Sequence, residues 1–129
     1  MYEPRIVSSP KDAFELGKEF LIDSDREKLI LVCLDSKNQP TSINTVSVGS
    51  LNSSIVHPRE VFKVAILSNS ANIIVFHNHP SGDVTPIKED INITERLKEA
   101  GKILGIELID HIIVGSNNTY YSFKKRGYI

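Results

Sequence analysis

The sequence predicts a single α/β domain in which a mixed β-sheet is flanked by helices. Three observations predict this class: apolar runs of strand length, amphipathic segments that follow proline-containing helix starts, and the interleaving of the two along 129 residues. A chain of this size with 40% apolar and 24% charged residues can bury a core without disulfides. Cys33 has no second cysteine to pair with.

The first half of the chain is predicted to form a helix and a strand pair. Ser9-Pro10 is typical of an N-cap followed by proline at the first helical position, which predicts a helix from about Pro10 to Ile22. Lys28 to Leu34 is a nearly unbroken Leu/Ile/Val run, so we expect a strand that is central and buried on both faces. Turn residues follow, and the alternating segment from Ile43 to Val48, ending at Gly49, completes a hairpin.

The second half alternates helix and strand signals. A proline-initiated helix is predicted from Pro58 to about Ser68, followed by a short strand from Asn72 to His77. Thr85-Pro86 repeats the cap-plus-proline pattern and opens a helix that ends at Gly105. Two further strands, Ile106 to Val114 and Thr119 to Phe123, complete the sheet.

Charge and hydropathy exclude several function classes. Fifteen basic and sixteen acidic side chains give a net charge of −1, so strong non-specific binding to nucleic acid is not expected. The apolar runs are far shorter than the roughly 20 residues of a membrane span, and residues 1–5 lack the apolar region of a signal peptide. We therefore expect a cytoplasmic protein without a membrane partner. The sequence leaves its oligomeric state open.

The stretch after the third predicted strand concentrates groups suited to holding a metal ion. His77 and His79 lie where the two-residue period of a strand puts both imidazoles on one side, about 7 Å apart at the backbone. A Pro/Gly turn leads to the helix opened at Thr85-Pro86, and Asp90 in its second turn continues the inner apolar face. Two imidazoles and a carboxylate match catalytic zinc sites, in which the open fourth position holds a water whose pKa falls to about 7.

A hydrolase of this kind also needs a base that does not coordinate the metal. Glu27 is the first candidate, because it directly precedes the buried strand and so reaches the rim of the same sheet. Glu60 is a weaker candidate. A purely structural explanation is also open. In that case Glu27 is a charged residue at the start of a strand, and Asp90 is an acid that the helix dipole favours.

These motifs resemble those of the RadC family. The resemblance runs from about Ser9 to the carboxyl terminus and rests on His57 to Phe62, His77 to Asp83, Thr85-Pro86, Asp90, Asp110-His111, Ser122-Phe123 and Gly127. RadC proteins belong to the JAB/MPN superfamily of zinc metallopeptidases, whose JAMM motif combines an upstream Glu, His-x-His-Pro, a Ser and an Asp. The resemblance implies a cytidine-deaminase-like architecture. It also implies that His77, His79 and Asp90 are zinc ligands and that Glu27 is the water-activating base.

The sequence departs from the JAMM motif at the serine. This residue stands three positions before the Asp, where the present chain has Ile87, and we expect Ile87 to face the metal cleft from the same helix face as Asp90. Isoleucine cannot donate a hydrogen bond to an oxyanion, and the loss of one such donor costs about 10²–10³ in rate. Ser81 or Thr85 could substitute for the missing serine.

Longer RadC proteins carry a helix-hairpin-helix module for which this chain has no room, so residues 1–129 are expected to form one RadC-type domain. Three hypotheses follow. The chain is a zinc-dependent peptidase or isopeptidase acting on a peptide or protein substrate. Alternatively, Ile87 marks a metal-binding but weakly active domain that recognises a protein partner. The third hypothesis is a DNA-repair accessory protein, based on the family label and the basic triplet Lys124-Lys125-Arg126, although a solvated strand end also explains that triplet.

Overall fold

Five strands form one mixed sheet and three helices pack on it, as a computed structural model describes for residues 6–21, 25–48 and 56–129. The predicted fold class is therefore confirmed. The elements are α1 (Pro10–Gly17), β1 (Lys28–Leu34), β2 (Pro40–Val48), α2 (Pro58–Leu67), β3 (Asn72–Asn78), α3 (Lys88–Leu104), β4 (Glu107–Val114) and β5 (Tyr120–Ser122).

The strand order is β2-β1-β3-β4-β5. β1 runs antiparallel to β2 and to β3, β3 runs parallel to β4, and β4 runs antiparallel to β5. β1 is therefore an internal strand as expected, but β3 occupies the centre of the sheet. Because β1 and β3 are antiparallel, the start of β1 lies beside the end of β3, where Leu29 pairs with His77.

The apolar runs of β1 and β3 are explained by burial on both faces of the sheet. One face packs against α2 and α3 through a cluster that includes Leu31, Val75 and Leu97. The opposite face packs against α1 through a cluster that includes Val32 and Phe76. Full burial of an aliphatic or aromatic side chain of this kind stabilises the fold by about 1.5–3 kcal/mol.

The amino-terminal helix is shorter than predicted. The N-cap prediction for Ser9 is confirmed, because its hydroxyl oxygen accepts the backbone N–H of Asp12. The α-helix then tightens after Gly17 into a 3₁₀ turn over Lys18–Phe20, a common way for a helix to end. The predicted helix end at Ile22 and the predicted strand end at Gly49 lie outside the described residues, as does the segment 1–5.

The start of α3 differs most from the prediction. Thr85 does not cap this helix, because its N–H and its hydroxyl both bind the Asp83 carboxylate, at 2.9 and 2.7 Å. The helix begins at Lys88 with Ile87 as its N-cap, and Asp90 lies in the first turn, not in the second.

The strand boundaries move by three residues or fewer: β2 begins at Pro40, β3 extends to Asn78, β4 begins at Glu107, and β5 spans Tyr120–Ser122. No helix in the described ranges combines the length and apolar character needed to cross a bilayer.

Candidate metal centre

Three side chains predicted to bind a metal meet at the end of β3. His77 belongs to this strand, His79 directly follows it, and Asp90 reaches them from the first turn of α3. Their candidate ligand atoms all lie within 4.8 Å of one another. Asp90 lies between the two rings, with Oδ1 3.0 Å from His77 Nε2 and Oδ2 3.2 Å from His79 Nε2.

A buried hydrogen-bond chain determines the tautomer of His77. The Thr94 hydroxyl donates its single hydrogen to the backbone carbonyl of Asp90 at 2.8 Å, so it accepts from His111 Nδ1–H at 2.6 Å. Burial lowers the pKa of His111 well below its ordinary value, and the ring is therefore neutral. His111 Nε2 is then an acceptor, and His77 Nδ1–H donates to it across 2.9 Å.

This tautomer leaves a lone pair on His77 Nε2. Burial lowers the pKa of His77 as well, while the negative charge of Asp90 opposes that effect, so no second proton is favoured on the ring. His77 Nε2 and Asp90 Oδ1 are both buried and, within the part of the chain that the structure describes, neither has a hydrogen-bond partner. A proton on the ring or a cation held beside the two atoms would satisfy this 3.0 Å contact, so the pair could take part in holding a metal ion.

His79 presents its ring in the same way. Its Nδ1–H donates to the backbone carbonyl of Asp83 at 2.7 Å, which leaves Nε2 directed at the Asp90 carboxylate. The contact with Asp90 raises the pKa of His79 against the opposing effect of burial, so a proton competes with a metal ion for this nitrogen. Burial alone would raise the pKa of Asp90, but the two imidazoles lower it well below its usual range and keep the carboxylate ionised.

The loop between β3 and α3 is held by the turn that follows β4. Gly82 has φ +87°, and a Cβ added there would lie 2.6 Å from the hydroxyl oxygen of Ser116. A Cβ added at Gly115 would lie 2.5 Å from the carbonyl oxygen of Gly82. This close packing fixes the backbone that leads to Asp83, whose carbonyl orients His79.

Glu27 lies at the end of the sheet that carries these side chains. It directly precedes β1, two residues before the Leu29–His77 pair, and its side chain is half-buried. Burial and Asp90 dominate the pKa of His77 and of His79, and the negative charge of Glu27 also raises both. Glu60, the weaker candidate, is an exposed acid in the first turn of α2 and lies 3.6 Å from Arg59 Nε.

The expected helical placement of Ile87 is wrong. As the N-cap of α3 it has extended backbone angles, φ −94° and ψ 171°, and the residue is 51% exposed. Its contribution to the site comes from the main chain, because its N–H donates to Asp90 Oδ2 at 2.8 Å. Of the two proposed substitutes, Thr85 uses its hydroxyl hydrogen on Asp83, whereas Ser81 Oγ accepts the Asp83 N–H at 3.3 Å.

His111 and Thr94 were not predicted to act at this site. In the sequence, His111 belongs only to the motifs shared with the RadC family, and Thr94 belongs to none of the motifs. Two signals point to them in the sequence: an imidazole within the apolar run of β4, and a hydroxyl four residues after Asp90 on one helix face. Phe123 stacks on His111 with ring centroids 4.6 Å apart, a contact that only the tertiary structure reveals.

Comparison with known proteins agrees with this architecture. A family model described as "RadC-like JAB domain" matches residues 7–128. A UPF0758 protein of Methanosarcina barkeri is 51% identical over 125 residues, which cover 97% of this chain and 54% of the relative. UPF0758 proteins of Clostridium beijerinckii and Clostridium botulinum are 54% and 55% identical over 123 residues, which cover 95% of this chain and 53% and 54% of the relatives. The chain therefore spans about half the length of these curated relatives.

Proposed function

The chain belongs to the RadC-like JAB domain family, and on this premise we propose that it is a zinc-dependent metallopeptidase or isopeptidase of the JAMM type. Its substrate would be an amide bond in a peptide or protein. The observation that carries this proposal is the convergence of His77 Nε2, His79 Nε2 and the Asp90 carboxylate, whose candidate ligand atoms all lie within 4.8 Å of one another.

The donor set supports zinc over the hard divalent cations. Two neutral imidazoles and one carboxylate are typical of catalytic zinc, whereas calcium and magnesium prefer sites made of oxygen ligands. Three protein ligands leave a fourth position open. When bound, zinc would supply Lewis acidity, which lowers the pKa of a coordinated water and polarises the carbonyl of the substrate.

Glu27 is the residue that we propose for proton transfer. A carboxylate beside the ligands can accept a proton from the attacking water and later pass it to the leaving amine. The place of Glu27 directly before β1 supports this role, because the Leu29–His77 pair two residues later brings this part of the chain to the same end of the sheet as the histidines. Ser81 is the better candidate for a side-chain donor to the oxyanion, since the hydroxyl hydrogen of Thr85 is used by Asp83.

Ile87 favours a second candidate function, a zinc-binding domain with weak hydrolytic activity that recognises a protein partner. The serine of the JAMM motif is absent at this position, and the exposed isoleucine side chain offers no donor. In this case the metal site is retained while transition-state stabilisation is reduced by the loss of one donor, about 10²–10³ in rate.

The two candidates are separated by metal content and turnover of the same preparation. We expect about one zinc per chain in protein purified without chelator, and hydrolysis of a peptide or isopeptide-linked substrate. Glu27→Gln should keep the zinc and lose about 10²–10⁴ in kcat. The matched control is Glu60→Gln, which should change neither. Zinc without turnover would support the second candidate, and protein without zinc would contradict both.

A further inference from the structure

Asn78 makes two hydrogen bonds that bracket Glu27. It is the last residue of β3 and is 3% exposed. Its side-chain Oδ1 accepts the backbone N–H of Lys28 at 2.8 Å, and its Nδ2–H donates to the backbone carbonyl of Arg26 at 2.9 Å. A single buried side chain therefore holds the main chain immediately before and immediately after Glu27.

We propose that Asn78 is the positioning residue for Glu27, an inference that rests on the proposed role of Glu27 as the base. On the β3 side, the pairing of β1 begins at Leu29, so the segment around Glu27 lies beyond the regular ladder. The Asn78 amide supplies one acceptor and one donor, the two groups that a further residue of β3 would have offered to the same backbone.

We call the two hydrogen bonds from Asn78 to Lys28 and Arg26 the clamp. The clamp matters for the site because Asn78 lies between the two histidines. His77, Asn78 and His79 are consecutive, so the segment that carries two candidate ligands also holds the backbone of the candidate base. Catalytic groups have to be kept within about 0.5 Å of their productive geometry. The two hydrogen bonds of Asn78 therefore fix the backbone around Glu27 relative to the strand end that carries the candidate ligands.

The chemistry of the clamp requires an amide. Aspartate at this position would keep an acceptor for the Lys28 N–H but would lose the donor for the Arg26 carbonyl. Alanine would lose both and leave two buried backbone groups without their partners. Asn78→Asp therefore removes one of the two hydrogen bonds, and Asn78→Ala removes both. If one variant fails to fold, the other can still be measured.

Asn72 provides a matched control at the opposite end of the same strand. Its Nδ2–H donates to Asn38 Oδ1 at 2.9 Å, so Asn72→Ala also removes a side-chain bond of β3, but away from His77. A general weakening of the strand would affect both variants, whereas loss of the clamp would affect only the Asn78 variants.

The first measurement is amide hydrogen exchange in the metal-free protein. We expect Asn78→Ala to increase the exchange rate of the Lys28 amide by about tenfold or more, with the amides further along β1 unchanged. Asn78→Asp and Asn72→Ala should retain protection at Lys28. Unchanged protection of Lys28 in Asn78→Ala would overturn the proposal, whether or not the protein hydrolyses any substrate.

The second measurement links the clamp to Glu27. Asn78→Ala should keep the zinc and the KM of the wild type while kcat falls by about 10–100-fold, and Asn78→Asp should lie between the two. In a Glu27→Gln background, Asn78→Ala should cost no further activity. Additive losses in this double variant would show that Asn78 acts independently of Glu27 and would overturn the positioning role. Absence of turnover in the wild type would instead contradict the proposed peptidase function. The hydrogen-exchange measurement alone would then test whether Asn78 holds the backbone around Glu27.

Discussion

His77 Nδ1 lies 2.9 Å from His111 Nε2, and this contact between neighbouring parallel strands determines which nitrogen of His77 faces Asp90. A group that hydrogen-bonds to the far nitrogen of a metal-binding histidine orients the ring and raises the basicity of the nitrogen that faces the metal. Here the hydrogen bonds continue from His111 to the Thr94 hydroxyl and from there to the backbone carbonyl of Asp90, so they connect two candidate ligands, His77 and Asp90.

Replacement of Thr94 by valine should weaken metal binding by about 10–100-fold. Without the hydroxyl, His111 Nδ1–H loses its acceptor, so the tautomer that keeps a lone pair on His77 Nε2 is no longer favoured. Competition with a chromophoric chelator measures the affinity. Thr94→Ser, which retains the hydroxyl, should bind as tightly as the wild type. Equal affinities for the valine and serine variants would show that the hydrogen bonds through His111 and Thr94 do not determine the tautomer of His77.

His79→Ala should remove the zinc and leave the fold intact. The site lies at the end of β3, whereas the two apolar clusters that stabilise the sheet do not include His79. Metal analysis and thermal unfolding of the same samples test both statements. His57→Ala is a suitable control, because His57 caps α2 without a side-chain hydrogen bond. Stoichiometric zinc in the double variant His77→Ala/His79→Ala would contradict the ligand assignment.

Ile87→Ser is expected to have two separable effects. As the N-cap of α3, a serine can accept a backbone N–H of the first turn, so the free energy of unfolding should rise by about 0.5–2 kcal/mol in urea titrations. If the hydroxyl also reaches the reacting carbonyl, the hydrolysis rate should increase while zinc occupancy stays the same.

Ile87→Ala separates these effects, since it removes the bulk of the side chain without adding a hydroxyl. It should change neither the rate nor the capping. A wild type that turns over well, together with an unchanged rate in Ile87→Ser, would assign the oxyanion donor to Ser81, Thr85 or a backbone amide.

Asp110→Asn should change how stability depends on pH. Burial raises the pKa of Asp110 above 3.8, even though Ser122 Oγ donates to its carboxylate at 2.6 Å. As the pH rises above 3.8, the unfolded state releases this proton first, so ionisation lowers the stability of the folded state until the pH passes the folded-state pKa. Below 3.8 the group is protonated in both states and contributes no difference.

Urea unfolding between about pH 4 and pH 7 measures this effect. The wild type should lose stability relative to Asp110→Asn as the pH rises, by about 1.4 kcal/mol for each unit of difference between the two pKa values. Asp12→Asn is a control for which the expected change in stability with pH has the opposite sign, because hydrogen bonds from Ser8 lower the pKa of Asp12. If the wild type instead gained stability relative to Asp110→Asn as the pH rose, the hydrogen bonds to the Asp110 carboxylate would affect its pKa more than burial does.

The local elements of this protein could be predicted from the sequence because their signals are local. The apolar run Lys28–Leu34 favours burial on both faces, and Ser9-Pro10 favours a helix start at this position. The spacing of His77, His79 and Asp90 likewise places a strand end and a helix start within reach of one another. These features depend on residues fewer than about 15 positions apart, so periodicity and capping rules describe them.

The tertiary structure decided which distant groups complete the site. Asn78 reaches Arg26 and Lys28 only because β1 runs antiparallel to β3, and His111 meets His77 only because β4 lies parallel on the other side. The N-cap at Ile87 also follows from the folded loop, in which Asp83 accepts the N–H of Thr85 and Asp90 accepts the N–H of Ile87. Strand register and hydrogen bonds between residues 34 to 52 positions apart arise from packing of the whole sheet, which no local pattern specifies.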